Sequence, residues 1–143
     1  MKKILFLLMM LLILGIVFSY AQCGKKSIIT SSKTEYLDAS GNLQRTVDES
    51  STIEYDDAGI TITRGQDAQQ MKGTIKSAEC DWKAAYKEGK TFLSTIMTDE
   101  RGESRNVNIT IEGKDGKLSF LAESPERPDR KIRIVIDKFD EKK

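Results

Sequence analysis

Alternation of apolar and polar residues, interrupted at short intervals by turn sequences, is the feature that most constrains the fold of this chain. Ile53 and Tyr55 alternate with polar residues, a turn sequence follows at residues 56–59, and the alternation resumes at Ile60 and Ile62. A period of two places apolar side chains on one face of a strand, and a tight turn between two such runs favours an antiparallel hairpin. The sequence therefore predicts β-hairpins.

The same pattern recurs along the chain. Three more hairpins are predicted around turns at residues 38–42, 99–102 and 113–116. A last strand is predicted at residues 131–137, where three isoleucines share one face. Residues 64–70 have no apolar period and are predicted to form a longer loop.

Residues 80–88 fit two patterns. Trp82 and Tyr86 have a helical spacing, but the same side chains also alternate with polar residues from Cys80 onwards. Because Gly89 is typical of a turn into a further strand, we favour a strand, with Trp82 and Tyr86 on one face.

Eight or nine short strands in succession predict an all-β fold. We expect an antiparallel up-and-down meander of about eight strands that forms a small barrel or a two-layer sandwich. The interior of a barrel of this size is either filled by its own side chains or holds one small ligand. We expect a filled interior, lined mainly by isoleucine, leucine and valine, with a ligand cavity as the alternative.

The N-terminal residues 1–21 have the pattern of a secretory signal peptide. Two lysines precede an apolar run of 15 residues, and Ser19 and Ala21 form a small-residue cleavage site. A membrane-spanning helix needs about 20 apolar residues, so no stable membrane span is expected after cleavage, although a retained anchor is an alternative. We expect a single β domain over residues 22–143 that is periplasmic or secreted.

The two cysteines, Cys23 and Cys80, would enter a compartment in which disulfides persist. A bridge between them would stabilise the domain by roughly 3 to 4 kcal/mol if it is unstrained. Two alternatives remain: a lipoprotein anchored through Cys23, or a buried Cys80 with Cys23 on a frayed end.

Charge and composition argue against several functions. The predicted mature chain has 21 basic and 22 acidic residues of interspersed sign, so no nucleic-acid partner is expected. The sequence contains no histidine, which excludes the usual catalytic triads and histidine-based zinc sites. Asp56, Asp57, Asp99 and Glu100 are adjacent acids that fit turns better than a hydrolytic cleft. We expect no enzyme activity, no catalytic residues, no cofactor and no metal.

Trp82 is the side chain that we single out for binding, supported by Tyr86. Tryptophan is common at binding hot spots, but a core position beside Cys80 is the simpler interpretation.

The strand rhythm of residues 25–139 and the Glu-Gly-Lys-Asp-Gly-Lys hairpin at residues 112–117 resemble the lipocalin-like and related small β-barrel proteins that many Gram-negative bacteria export. The junction of Ala21 with Gln22 resembles the exported proteins of Bacteroidota. The glycine and tryptophan pattern that opens true lipocalins is absent, since Trp82 lies in the middle of the chain, and no ligand residue is transferred from that family.

Together these observations predict an exported, non-enzymatic module that binds a small apolar ligand or a cell-envelope partner. A periplasmic protein inhibitor or immunity factor, directed against a toxin or hydrolase, is the alternative.

Overall fold

A computed structural model describes residues 24–143 of the protein, which form nine strands in one sheet. Within this range no helix is long and apolar enough to cross a membrane. The predicted signal peptide and Cys23 lie outside the described residues. The strands are β1 (Ser27–Asp38), β2 (Leu43–Tyr55), β3 (Gly59–Arg64), β4 (Gln69–Ala84), β5 (Glu88–Thr98), β6 (Ser104–Lys114), β7 (Lys117–Ser124), β8 (Arg127–Val135) and β9 (Lys138–Glu141).

The sheet closes through β1. Consecutive strands from β1 to β8 pair antiparallel, which confirms the predicted meander. On its other edge β1 pairs with β9 over residues 27–30 and with β8 over residues 33–38. The fold is therefore a barrel of eight strands with one extra strand, and not a two-layer sandwich. Closure pairs strand edges that would otherwise be available to other chains.

The apolar faces predicted from the alternation point into the barrel. In the hairpin of β2 and β3, Ile53 lies opposite Ile62 and Tyr55 lies opposite Ile60, and all four are buried. Each such side chain stabilises the fold by roughly 1.5–3 kcal/mol. The core cluster consists of Ile29, Ile53, Tyr55, Ile60, Ile62, Ile75, Trp82, Leu93, Met97, Ile109, Ile111, Phe120, Ile134, Ile136 and Phe139.

The two ends of the barrel carry different turns. The end that we call the aromatic end has the turns at residues 56–58, 85–87 and 115–116, together with the start of β1 and the end of β9. The opposite end has the turns at residues 39–42, 65–68, 99–103 and 125–126. We call it the arginine end, after Arg64, Arg105, Arg127 and Arg130, which lie there in β3, β6 and β8.

Packed rings fill the aromatic end. Phe139 of β9 lies at the centre, with ring centroids 4.8 Å from Tyr86, 5.7 Å from Trp82 and 6.4 Å from Tyr55. The Trp82 indole Nε1 donates a hydrogen bond to Thr91 Oγ1 over 2.7 Å. Apolar packing and a paired indole N–H together stabilise this end.

The segment at residues 80–88 is a strand as far as Ala84, as predicted, but its end differs from the prediction. Tyr86 lies in the turn at residues 85–87 with φ of 62°, so it does not continue the strand face of Trp82. Gly89 does not form the turn: it lies in β5, opposite Trp82. A Cβ at Gly89 would lie 2.4 Å from the carbonyl oxygen of Asp81, so close backbone approach explains the glycine.

The predicted loop at residues 64–70 is also wrong. β3 continues to Arg64 and β4 begins at Gln69, and a short turn joins them with Gly65 and Ala68 at positive φ. The polar residues Gln69 and Gln70 at the start of β4 are exposed at the rim, and β3 ends in Arg64, so apolar periodicity does not mark these strand ends.

Candidate functional site

A cavity of about 130 Å³ lies at the arginine end of the barrel and is open to solvent on one side. The expectation of a filled interior therefore holds for the aromatic end and not for this one. Apolar side chains from β3 to β8 form most of its wall: Ile62, Met71, Met97, Val107, Phe120, Ala122, Ile132 and Ile134. Sites for drug-sized ligands usually exceed about 300 Å³, whereas about 150 Å³ holds one benzene-sized molecule. The cavity thus suits a small apolar group.

The strand register explains why these side chains meet. Met97 ends the buried, inward-facing series of β5 that begins with Thr91, and Ala122 lies opposite both Ile109 and Ile132. Larger residues fill other parts of the core, whereas this inward-facing position holds the small side chain of Ala122. Opposite residues in antiparallel pairs share a face, so hairpin pairing alone brings the wall together.

Four arginines also line the cavity: Arg64, Arg105, Arg127 and Arg130. The contacts that two of them make with acids are long, at 3.8 Å from Arg105 Nη2 to Glu103 Oε2 and 3.8 Å from Arg130 Nε to Asp129 Oδ2. Arg64 and Arg127 form no ion pair or side-chain hydrogen bond with any described residue. Since a guanidinium has five N–H donors, many arginine N–H groups at this end have no acceptor among the described residues.

Three acidic residues at the arginine end accept hydrogen bonds from backbone groups or from Asn106. Asp38 accepts the backbone N–H of Asn42 at 2.8 Å, and this bond holds the pKa of Asp38 below its ordinary value. Glu126 accepts the backbone N–H and side-chain amide of Asn106, at 3.1 and 2.9 Å, which lower the pKa of Glu126. Asp99 accepts two backbone N–H groups of its own turn. These carboxylates therefore stabilise turns and leave the arginines weakly paired.

Glu123 is the one acidic residue in the cavity lining. Its Oε1 lies 2.8 Å from Lys131 Nζ, directly across the pair of β7 and β8. Because Lys131 already neutralises Glu123, the four arginines give the lining an excess of positive charge.

Three oxygen atoms on the β1 and β2 side of the interior are buried without a hydrogen-bond partner among the described residues: Thr34 Oγ1, Glu49 Oε1 and Ser51 Oγ. Thr34 lies opposite Ile134, and Ser51 lies opposite Arg64, both of which line the cavity. An unpartnered buried hydroxyl costs about 1–3 kcal/mol. The interior next to the cavity therefore contains unpartnered polar atoms, although Thr34, Glu49 and Ser51 do not themselves line the cavity.

The binding residues singled out from the sequence lie at the other end of the barrel. Trp82 is 2% exposed, and Tyr86 is half-buried against the core. Neither lines the cavity at the arginine end. Their binding role stays a prediction, while their contacts with Phe139 show that they pack the aromatic end.

The predicted bridge from Cys23 to Cys80 falls partly outside the described residues. Cys80 is half-buried and packs against the core, whereas Cys23 precedes residue 24. The bridge stays a prediction. Among residues 24–143, no group of three or more histidine, cysteine, aspartate or glutamate side chains is arranged to hold a metal ion.

Sequence reasoning missed the arginines, although the strand parity contained a signal for three of them. Arg64 follows Ile62 by two residues, Arg105 precedes Val107 by two, and Arg130 precedes Ile132 by two. A strand with period two places such pairs on the same face.

No protein-family model, curated protein or solved structure matches the chain.

Proposed function

We propose that this protein is an exported, non-enzymatic, lipocalin-like barrel that binds a small apolar ligand in the cavity at its arginine end. The observation that carries the proposal is the largely apolar cavity of about 130 Å³ at the open, arginine end of the barrel. Packed rings occupy the aromatic end, so a ligand would enter from the arginine end. Apolar burial supplies the binding free energy in such a site.

Export is supported by the sequence pattern at the N-terminus. The basic start, the short apolar run and the small residues Ser19 and Ala21 are typical of a cleaved signal. We include a Cys23–Cys80 bridge in the proposal, because disulfides persist in periplasmic and extracellular spaces.

The non-enzymatic part of the proposal is supported by the sequence and by the contacts of the acids. The chain has no histidine, and Asp56 caps its own turn by accepting the backbone N–H groups of Ala58 and Gly59, both at 2.8 Å. A carboxylate used in this way stabilises a turn.

No surface described here favours the inhibitor alternative. Among residues 24–143, the exposed large apolar side chains are Leu43, Phe92 and Ile96. Ser94 separates Phe92 from Ile96 on the same strand face. Isolated apolar side chains are normal on protein surfaces, whereas an interaction site usually has a contiguous patch.

A titration with hexan-1-ol tests the cavity directly. Met71 and Met97 line it and are the only methionines outside the predicted signal peptide, so ¹³C-methyl labels on methionine report on the site. A buried hexyl chain contributes roughly 4 kcal/mol at about 0.8 kcal/mol per CH₂, which corresponds to a Kd of about 1 mM. We expect saturable shifts of both methyl resonances at millimolar hexan-1-ol.

Two phenylalanine variants provide the matched comparison. Ala122→Phe places a ring in the cavity, and Leu121→Phe places one on the outer face of the same strand. We expect at least about tenfold weaker binding in Ala122→Phe and unchanged binding in Leu121→Phe. Absence of saturable shifts in the unsubstituted protein, or equal binding in both variants, would contradict the proposal.

A further inference from the structure

We infer that the ligand is an anionic amphiphile: its short apolar tail occupies the cavity, and its carboxylate or phosphate head binds the arginines at the rim. The inference rests on the proposed function and adds the chemical class of the ligand. It is carried by the occurrence of an apolar wall and four arginine residues in the lining of one cavity.

The donors for an anion are present and underused. The side chains of Arg64 and Arg127 have no acidic or hydrogen-bond partner among the described residues, and the contacts of Arg105 and Arg130 with acids are 3.8 Å long. A guanidinium binds the two oxygens of a carboxylate or phosphate through parallel N–H donors. Such charge-assisted hydrogen bonds are about twice as strong as neutral ones.

The charge of the lining has the sign that an anion requires. Glu123 is the single acid among the lining residues and is paired with Lys131 at 2.8 Å. Asp38 and Glu126, which lie nearby in turns, accept backbone N–H groups. A head group at this rim therefore meets the side-chain N–H donors of Arg64 and Arg127, which no carboxylate of the described residues engages.

The geometry also sets the orientation of the ligand. Phe139, Trp82 and Tyr86 pack the aromatic end, so a tail enters from the arginine end and points towards Phe120. The cavity accommodates a tail of about six carbons or one ring, by comparison with an apolar cavity of about 150 Å³ that holds benzene. The head then remains among the arginines, which are partly exposed to water.

Four six-carbon probes separate the head group from the tail: hexanoate, hexyl phosphate, hexan-1-ol and hexylammonium. Each is titrated into protein purified from cells that express the full chain, and the methyl resonances of Met71 and Met97 are followed at pH 7.5. We expect both anions to bind at least about tenfold more tightly than hexan-1-ol, and hexylammonium to bind more weakly than the alcohol. The tighter of the two anions identifies the head group.

Arginine variants locate the effect. Arg64→Gln combined with Arg127→Gln should weaken hexanoate binding about tenfold and change hexan-1-ol binding less than about twofold. Arg101→Gln is the matched control, because Arg101 is an exposed residue in a turn at the same end and does not line the cavity. It should leave the binding of both probes unchanged.

The outcomes separate this inference from the proposed function. If hexan-1-ol binds as tightly as hexanoate, or if Arg101→Gln weakens hexanoate as much as the double variant does, the anionic head group is refuted and the apolar cavity remains supported. If none of the four probes shifts the methionine resonances, both proposals are refuted.

Discussion

Replacing Thr91 by valine tests whether the buried hydrogen bond at the aromatic end stabilises the barrel. Trp82 Nε1 donates to Thr91 Oγ1 over 2.7 Å, and the two residues are 2% and 4% exposed. Valine keeps the shape of threonine but removes the acceptor of this indole. A buried donor left without a partner costs about 1–3 kcal/mol, so we expect Thr91→Val to lower the free energy of unfolding by about 2 kcal/mol.

The sign of this effect distinguishes the hydrogen bond from other contributions. Valine is more hydrophobic than threonine and is well suited to strands, so burial and strand propensity alone would make Thr91→Val stabilising. Thr91→Ser keeps the hydroxyl and loses one methyl group, which costs about 1 kcal/mol. We therefore expect the serine variant to be more stable than the valine variant.

Urea unfolding followed by far-UV circular dichroism measures these differences, and a double-mutant cycle with Trp82→Phe isolates the pair. Phenylalanine has no N–H, so in that background Thr91→Val should cost at least about 1 kcal/mol less than in the unsubstituted protein. The reasoning is refuted if Thr91→Val is as stable as the unsubstituted protein, or if its cost is the same in both backgrounds. Trp82 is the only tryptophan in the chain, so its fluorescence gives an independent transition where it is present.

Two further predictions concern acid stability and export. The backbone N–H of Gly59 lowers the pKa of Asp56 from its ordinary value of 3.8, so the stability that Asp56 contributes is present above that value and is lost as the pH falls through the folded-state pKa. Asp56→Asn should therefore lose less stability in urea unfolding between pH 6 and about pH 2 than the unsubstituted protein or the neighbouring Asp57→Asn control, and equal losses would contradict this. Intact mass of the protein from cells that express the full chain should show removal of the predicted signal peptide and loss of two hydrogens through the bridge. Acyl chains on Cys23, or alkylation of both thiols without reduction, would contradict export with a bridge.

The local part of the fold could be predicted because strand faces and tight turns depend on neighbouring residues. The hairpin of β2 and β3 is an example. Apolar and polar residues alternate on both sides of its turn, and Ile53 lies opposite Ile62. Barrel closure could not be predicted in the same way. β1 pairs with β8 across about a hundred residues of sequence, and a register shift between Ser31 and Lys33 accompanies its pairing with β2. Such non-local pairing and bulges have no local apolar signature.

The candidate site depends on that closure, which explains why sequence reasoning selected Trp82 and not the arginines. A tryptophan is conspicuous in a sequence, whereas Arg64, Arg105 and Arg130 stand at strand ends where charged residues are usually solvated. Their side chains form one site only because barrel closure places β3, β6 and β8 around the same interior. The alternation thus predicted the faces, and only the closed barrel brought the charges together.

A second threonine-to-valine exchange at the arginine end should have the opposite sign, and this contrast tests the division of roles between the two ends. Thr34 is fully buried, and its Oγ1 has no hydrogen-bond partner among the described residues, unlike that of Thr91. Valine removes this unpartnered hydroxyl at constant shape, so Thr34→Val should raise the free energy of unfolding by about 1 kcal/mol. Natural proteins retain such costs mainly where they serve a function, and Thr34 lies opposite Ile134 of the cavity wall. A loss of stability in Thr34→Val would instead show that its hydroxyl already has a partner, such as an ordered water. In that case the protein would not sacrifice stability at Thr34 for ligand binding.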